Sequence, residues 1–426
     1  MSTMEQRVWV GIDWGDYEHA VWMVDGLGNP LADFAVPHSA EGLDQLADEL
    51  ARHGPVTGVA IEATHSLVIV KLLEAVHTVY PINPKMASQW AKCLAVDPAK
   101  DDRRAAATLA NGLRLFAPQL RPLRPDDPLT RELTLLAHDE MTLITQRTAL
   151  ANTLKDRVKK AHPDVLAWFP DVTKTTACDF VLAFPTPQAL REAAARDVQK
   201  FLAAHHIGLS PRWQARIAAR GQGPQWPCDE ATARAASRFA LALARQIRTL
   251  NESLQGYRRT VDDLFAQHPD AALFASLPGA GAKNAPRLLA TFGSDRERFQ
   301  DAADLQALNG VVPLTKRSGK KTEVLFRWAC RKEGRNTMFL FAFASISRSV
   351  WARAFYERQR ANGHSHALAL RNLGAKWTKI IFRMWQTRTP YDERRYLQSL
   401  KDHGSPLIDH IQNSEKCGKL MKKLLT

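Results

Sequence analysis

Short apolar runs separated by polar turns open the chain, and the spacing changes further on. Val8–Ile12, Ala20–Val24, Leu31–Phe34, Val56–Ile61 and Thr78–Ile82 each read as a β-strand. The first three follow one another closely, as in a meander. The later ones alternate with helical patterns, notably Ser39–Arg52, which Ser39 is placed to cap. A meander followed by such alternation predicts a mixed sheet, so residues 7 to about 115 read as one α/β domain.

Beyond it the period becomes helical. Residues 128–161 read as one long amphipathic helix through Leu133, Leu136, Met141, Leu143, Leu150 and Leu154. A second runs from Glu230 to Gln267 through Phe239, Leu243, Ile247, Leu250, Leu254 and Leu264. Between them, 162–229 holds helix pieces broken by Pro163, Pro170, Pro185, Pro187, Pro211, Pro224 and Pro227. Two long helices around an insert predict a stalk over 126–270. Core packing within one domain and a dimerising coiled coil both fit the pattern. From Phe274 to Leu400 the chain reads as mostly helical and basic. The segment 401–426 reads as a basic tail, its end carrying Lys416, Lys419, Lys422 and Lys423. That end, 416–426, is either disordered and gripping nucleic acid or simply solvated.

Bulk numbers narrow the partners. At 426 residues the chain has room for two or three domains, and 45% hydrophobic residues can fill their cores. Lys and Arg number 58 against 44 Asp and Glu, a net charge of +14. Such an excess points to a polyanion, nucleic acid foremost, although ribosomal or membrane-surface binding also fits. The five cysteines, Cys93, Cys178, Cys228, Cys330 and Cys417, form no CxxC, which argues against a zinc ribbon or disulfide framework. No apolar run is long enough to span a bilayer and the opening residues do not read as a secretory signal, so a soluble cytoplasmic protein is expected.

Three constellations carry candidate chemistry. In "VGIDWGDYEH" Asp13 follows an apolar strand, and in "VAIEATHS" Glu62 does the same. A carboxylate there loses hydration and needs a metal, a proton or a hydrogen-bond donor; a turn-capping Asp is the plainer reading of Asp13. "AKDDRRAAATLA" places Asp101 and Asp102 at the start of a helix, where the dipole favours them and simple N-capping explains them equally. Taken together, three acidic sites in a basic protein suit metal-assisted phosphoryl transfer, with Mg²⁺ as the oxygen-loving cation. "SLPGAGAKNAPRLLATFG" reads as a helix-hairpin-helix in which Gly279 and Gly281 let backbone N–H groups approach a phosphate, with Lys283 beside them; an ordinary tight turn is the alternative. Between Thr315 and Arg335 there are eight Lys or Arg and two Glu. Ser318 lies among Arg317, Lys320, Lys321 and Arg327, cations able to steady a phosphate under attack or merely to grip it.

These motifs, in this order, resemble the DEDD-type insertion-sequence transposases known as bridge-RNA-guided serine recombinases. The resemblance rests on "GIDWGDYEHAVWMVD", "IEAT", "VYPINPKMASQWAK" and "AKDDRRAAATLA" in the first half. In the second half it rests on "LPGAG", "LNGVVPLTKRSGKK", "GRNTMFLFAFASIS", "WARAFYERQRANG" and "TPYD". It implies a RuvC-like (RNase H-like) α/β domain over 1–125 with four metal-binding acids. A coiled-coil stalk with a helical insert follows, then a mostly helical transposase domain over 271–400 with a serine nucleophile. Asp13 and Glu62 match the first two acids. The third segment has the form K-x-D-x-x-D-A-x-x-L-A, and Lys100, Asp102, Ala106, Leu109 and Ala110 fill their places. The fourth acid falls on Ala105, which leaves open a deliberately inactivated variant with Asp replaced by Ala or a degenerate copy. The serine of the family's S-G turn falls on Ser318.

The resemblance further implies donor and target DNA, a noncoding guide RNA, an active site shared between protomers and a tetramer of paired dimers. Site-specific recombination through a phosphoserine link is therefore the expected function. A RuvC-like nuclease using water and a nonenzymatic nucleic-acid scaffold are the alternatives.

Overall fold

The computed structural model describes residues 7–63, 66–94, 101–220, 222, 229–319 and 321–425, with the side chains of 423–425 excepted. Thr64, Lys100, Pro224, Pro227, Cys228, Lys320 and the Lys423 side chain lie outside the described residues. The chain divides into two compact units, Met1–Pro125 and Asp126–Thr426.

The first unit contains β1 (Val8–Trp14), β2 (Glu18–Val24), β3 (Pro30–Pro37), α1 (Ala40–Arg52), β4 (Val56–Ile61), α2 (Leu67–Glu74), β5 (Val79–Pro81), α3 (Pro84–Leu94) and α4 (Asp102–Phe116). The strands form one sheet in the order β3-β2-β1-β4-β5. β1 is antiparallel to β2 and β2 to β3, while β1, β4 and β5 run parallel. This is the mixed sheet that the meander and its alternation predict, and it agrees with the RNase H-like fold that the resemblance implies.

Strand alternation assigns the faces. Val8, Val10 and Ile12 point to a core with Leu43, Leu46 and Leu50 of α1 and Val68, Ile69 and Leu72 of α2. Trp9 points the other way, to Trp90 of α3 and Leu109, Ala110 and Leu113 of α4. Ser39 caps α1 as predicted, its Oγ accepting from Gly42 N at 3.1 Å. One expectation needs correction. Asp13 does not lie past the strand end, because β1 runs to Trp14 and Asp13 pairs with Ala20. Hydrogen bonding to β2, not hydrophobicity, carries the strand two residues beyond Ile12.

The second unit begins with α5 (Pro128–Ala161). Five short helices follow: α6 (Asp164–Trp168), α7 (Thr175–Ala183), α8 (Pro187–Glu192), α9 (Ala195–Ala204) and α10 (Pro211–Ala219). Then come α11 (Glu230–Gln267), α12 (Ala271–Ala275), α13 (Gly281–Phe292), α14 (Ala302–Leu308), β6 (Leu314–Ser318), β7 (Lys321–Leu325), α15 (Lys332–Ser345), α16 (Val350–Ala361), α17 (His366–Thr387), α18 (Glu393–Asp402), α19 (Leu407–Asn413) and α20 (Glu415–Leu425).

The two long helices, 34 and 38 residues, pack on each other within the chain. Leu133 near the start of α5 and Val261 near the end of α11 share one core with α12–α20. Leu154 and Val158 near the end of α5 share another with Ala240, Leu243 and Ile247 of α11 and the short helices. The pair is therefore antiparallel, joining two cores over about 50 Å at 1.5 Å per residue. Glu140 of α5 ties it together, pairing with Arg258 of α11 at 3.2 Å and Arg287 of α13 at 2.7 Å.

The end of the chain departs from the reading as a disordered or merely solvated tail. It folds as α19 and α20, with Leu407, Ile411 and Cys417 buried in the core and Leu420 and Met421 packed against it. Lys416, Lys419 and Lys422 occupy the exposed face. The apolar positions recur at helical spacing, and the lysines between them masked that period.

Candidate active site and nucleic-acid interface

Asp13 lies on the α4 face of the sheet, two residues along from Gly11. Gly11 pairs with Ala60 and Ile12 with Ile61 in the parallel β1–β4 ladder. One residue further, Glu62 leaves β4 beside Asp13, on the face that Ala60 shares with α4. Asp102 opens α4 directly after its cap. Asp101 is that cap, its Oδ1 accepting from Arg104 N at 2.7 Å. Its Oδ2 lies 3.3 Å from Arg104 Nε, so both carboxylate oxygens face Arg104. Ala105 falls one turn beyond Asp102, half-buried.

Gly11 sets how closely α4 approaches, a role the motif reading passed over. A Cβ on Gly11 would lie 2.0 Å from the Ala106 carbonyl oxygen and 2.4 Å from Ala110 N. Only a residue without a side chain admits the helix backbone there. Arg103 fixes the start of α4 from outside, pairing with Asp33 of β3 and lying 5.3 Å from the ring centroid of Trp22. The signal in the sequence was a glycine within a buried strand.

The electrostatics record the convergence. Burial, then the charge of Asp102, then that of Glu62, push the Asp13 carboxyl up to about 6, against a smaller opposing hydrogen bond from Trp14 N–H. Three carboxylates thus share one field. Among the described residues no three His, Cys, Asp or Glu side chains close into a ready coordination set. The acids form an open group with oxygen-only donors and mutual repulsion that a hard divalent cation would relieve, and in donor chemistry they fit Mg²⁺.

The serine segment is a β-hairpin, which the sequence did not signal. β6 and β7 pair antiparallel from Leu314↔Leu325 to Ser318↔Lys321. Every residue of both strands is exposed. Ser318 ends β6, and Gly319 turns the chain with φ of 55°, a conformation that favours glycine. Arg317 faces Thr322, and Lys321 pairs with Glu323 at 2.7 Å. Arg327 is half-buried and donates to the Pro313 carbonyl at 3.5 Å, bracing the base of the hairpin.

The two LPGAG glycines part company. A Cβ on Gly279 would lie 2.8 Å from the backbone carbon of Ala344, so this glycine admits α15. Gly281, with φ of 53° and nothing near its Cβ position, starts α13 at the surface. Lys283 follows, exposed, and Ala280 gives that helix no side-chain cap.

Comparison with known proteins places these features in context. Residues 10–163 match a DEDD transposase family of the IS110 type, and residues 271–357 match the transposase family IS116/IS110/IS902. The "Mini-circle putative transposase for IS117" of Streptomyces coelicolor is 31% identical, over 91% of this chain and 96% of that one. The "Insertion element IS110 uncharacterized 43.6 kDa protein" of the same organism is 27% identical over 92% and 97%. Among solved structures, T. thermophilus RuvC in complex with a Holliday junction substrate matches 28% of this chain and 99% of that one, at 19% identity and a TM-score of 0.23. That score carries no weight beside the sheet order described above.

Proposed function

The chain belongs to the IS116/IS110/IS902 family of insertion-sequence transposases, and we propose that it acts as an RNA-guided, site-specific DNA recombinase with Ser318 as its nucleophile. The observation that carries this reading is the placement of Ser318. It stands exposed at the end of β6, beside a left-handed glycine, on a ribbon bearing Lys316, Arg317 and Lys321. A two-stranded ribbon of this kind also fits the major groove of DNA.

In the proposed step the Ser318 hydroxyl oxygen bonds to a DNA phosphorus and loses its proton. The bond from phosphorus to the 3′ oxygen breaks, and that oxygen takes a proton to become a free 3′-hydroxyl. A partner strand's 3′-hydroxyl then attacks the phosphoserine, a new phosphodiester forms and serine regains its proton. One ester replaces another at each stage, so no outside energy source is needed. The cations beside Ser318 offset charge on the phosphate oxygens. Asp13, Glu62 and Asp102 would hold Mg²⁺, which when bound supplies further charge stabilisation to a phosphate.

The net charge of +14 suits both donor and target DNA and a noncoding guide RNA. In this reading base pairing selects sequence while protein grips backbone. A tetramer of paired dimers in the cytoplasm completes the proposal. Among the described residues no helix is long and apolar enough to cross a membrane. Ala105 favours a second reading, that this copy binds nucleic acid as a scaffold and recombines poorly.

The test is denaturing electrophoresis of protein incubated with cognate DNA and guide RNA, for the chain as it stands and for Ala105→Asp. A protein-linked DNA band that Ser318→Ala abolishes, with binding retained, supports the recombinase. Free cut ends without the link indicate water as nucleophile. Binding without cleavage in both forms indicates the scaffold. A covalent product that survives Ser318→Ala overturns the assignment.

A further inference from the structure

Directly beyond β7 the chain presents aromatic side chains where a folded domain would ordinarily hide them. Trp328 is 78% exposed, and Val324 of β7 is 68% exposed. Exposed single apolar residues are ordinary, but Trp328 is not loosely attached. Its ring lies edge-on to Phe326, with centroids 4.6 Å apart and planes at 63°. Two cations from the helical core hold Phe326: Arg335 of α15 and Arg371 of α17, with guanidinium carbons 4.7 and 4.3 Å from its ring centroid. Arg335 also fixes the backbone, its Nη2 donating to the Arg327 carbonyl at 2.6 Å and to that of Trp328 at 3.4 Å. The indole is thus mounted on a rigid base and open to solvent.

We propose that Trp328 is a stacking platform for an unpaired nucleobase of the strand that the β6–β7 ribbon holds. The inference rests on the reading of that ribbon as a nucleic-acid interface and adds a side chain and a kind of ligand to it. Charge selects this occupant over a second copy of the chain. The ribbon and its base carry Lys316, Arg317, Lys321 and Arg327 against the single acid Glu323. Two copies meeting here would bring like charges together, whereas a nucleic-acid strand brings phosphates to the cations and a flat apolar base to the indole. The platform needs little ordering on binding, because Phe326 and Arg335 already fix its backbone. From Leu325 to the Ser318 end, the ribbon spans about 13 Å at 3.3 Å per residue. That length separates the strand's Trp328 end from the serine and leaves room for several nucleotides between the stacked base and an attacked phosphate.

The test measures binding alone, by fluorescence anisotropy of the full chain with two labelled probes. One is a single-stranded thymidine oligomer of about twenty nucleotides, longer than a site of this kind. The other is a duplex of the same length. Trp328→Ala is expected to weaken single-strand binding about ten- to hundredfold, the range for loss of one base–aromatic stack. Duplex binding should change far less, and Trp328→Phe should recover most of the loss. Equal losses on both probes, or none on the single strand, overturn the inference. So does a drop in sedimenting mass for Trp328→Ala with affinity unchanged, which would make this face an interface between copies. A stacking loss without any phosphoserine product would leave Trp328 standing and the recombinase reading fallen; the converse result would do the reverse.

Discussion

Replacing Gly11 with alanine tests how the acids are brought together. The added Cβ would meet the Ala106 carbonyl oxygen at 2.0 Å and Ala110 N at 2.4 Å. Ordinary carbon–oxygen approaches are about 3.3 Å at the closest, so α4 must retreat from β1 by roughly 1 Å. Both clashing atoms are backbone, which has no rotamer to change. The cost should therefore stand at the upper end for overpacking, about 3 kcal/mol. For a unit of this size that corresponds to a fall of about 10 °C in its melting temperature. Gly58→Ala is the matched control. It lies on the same face of the neighbouring strand, but the atoms nearest its Cβ belong to side chains, Tyr80 at 2.9 Å, Trp9 at 3.2 Å and Leu113 at 3.3 Å. These can give way, so about 1 kcal/mol is expected.

The retreat of α4 also carries Asp102 away from Asp13 and Glu62. Calorimetry of the full chain reads the stability change, and Mg²⁺ titration of strand joining in the Ala105→Asp background reads the site. Gly11→Ala should need more Mg²⁺ for half-maximal joining, while Gly58→Ala should need nearly the same as the parent. A melting temperature for Gly11→Ala within a degree or two of the parent, or lost only as much as in Gly58→Ala, would refute the claim that this glycine sets the approach of the helix.

Two further outcomes are expected. Ala105→Asp should raise Mg²⁺-dependent strand joining, because an acid one turn beyond Asp102 shares its helix face; the side-by-side measurement is joining against Mg²⁺ concentration, and equal curves would show that Asp13, Glu62 and Asp102 suffice. His19 should contribute a loss of stability to the first unit as pH falls through about 6.5, which Asp13 opposes below about 6 because its raised carboxyl takes up a proton first in the folded unit. His19 is fully buried, 2.9 Å from His38, and burial, then the neighbouring His38, lower its pKa. The unfolded chain therefore takes up the proton first, so the neutral ring contributes stability above the unfolded value and loses it on acidification. Melting curves of the parent and His19→Phe between neutral and mildly acidic pH check this: the parent should lose more stability on acidification than the variant, and identical pH responses would refute it.

What the sequence made legible follows from where water is. The inner strands β1 and β4 are buried on both faces, so they appear as apolar runs, and the mixed sheet could be read. Long helices announce themselves through period, as α5 and α11 do within a residue or two at each end. The β6–β7 ribbon offers no such signal, because both faces are solvated and Lys316, Arg317, Lys321 and Glu323 leave no apolar run or alternation. Its only local marks were Gly319 and the β-branched Thr315, Thr322 and Val324. Trp328 was illegible for the opposite reason, since a tryptophan in a sequence reads as core until its exposure is known. The carboxylates were conspicuous one by one, because an acid beside a buried strand demands a partner. That they would serve one metal was an expectation; how they meet was not legible. It depends on the β1–β4 register, which carries Glu62 to Asp13, and on a glycine that lets a helix backbone touch a strand. Asp13 bears the trace of that meeting in a carboxyl that holds its proton to about pH 6. The register and the close approach that bring the acids together are invisible to motif spacing alone. The residue most able to break it, Gly11, carries no chemistry of its own.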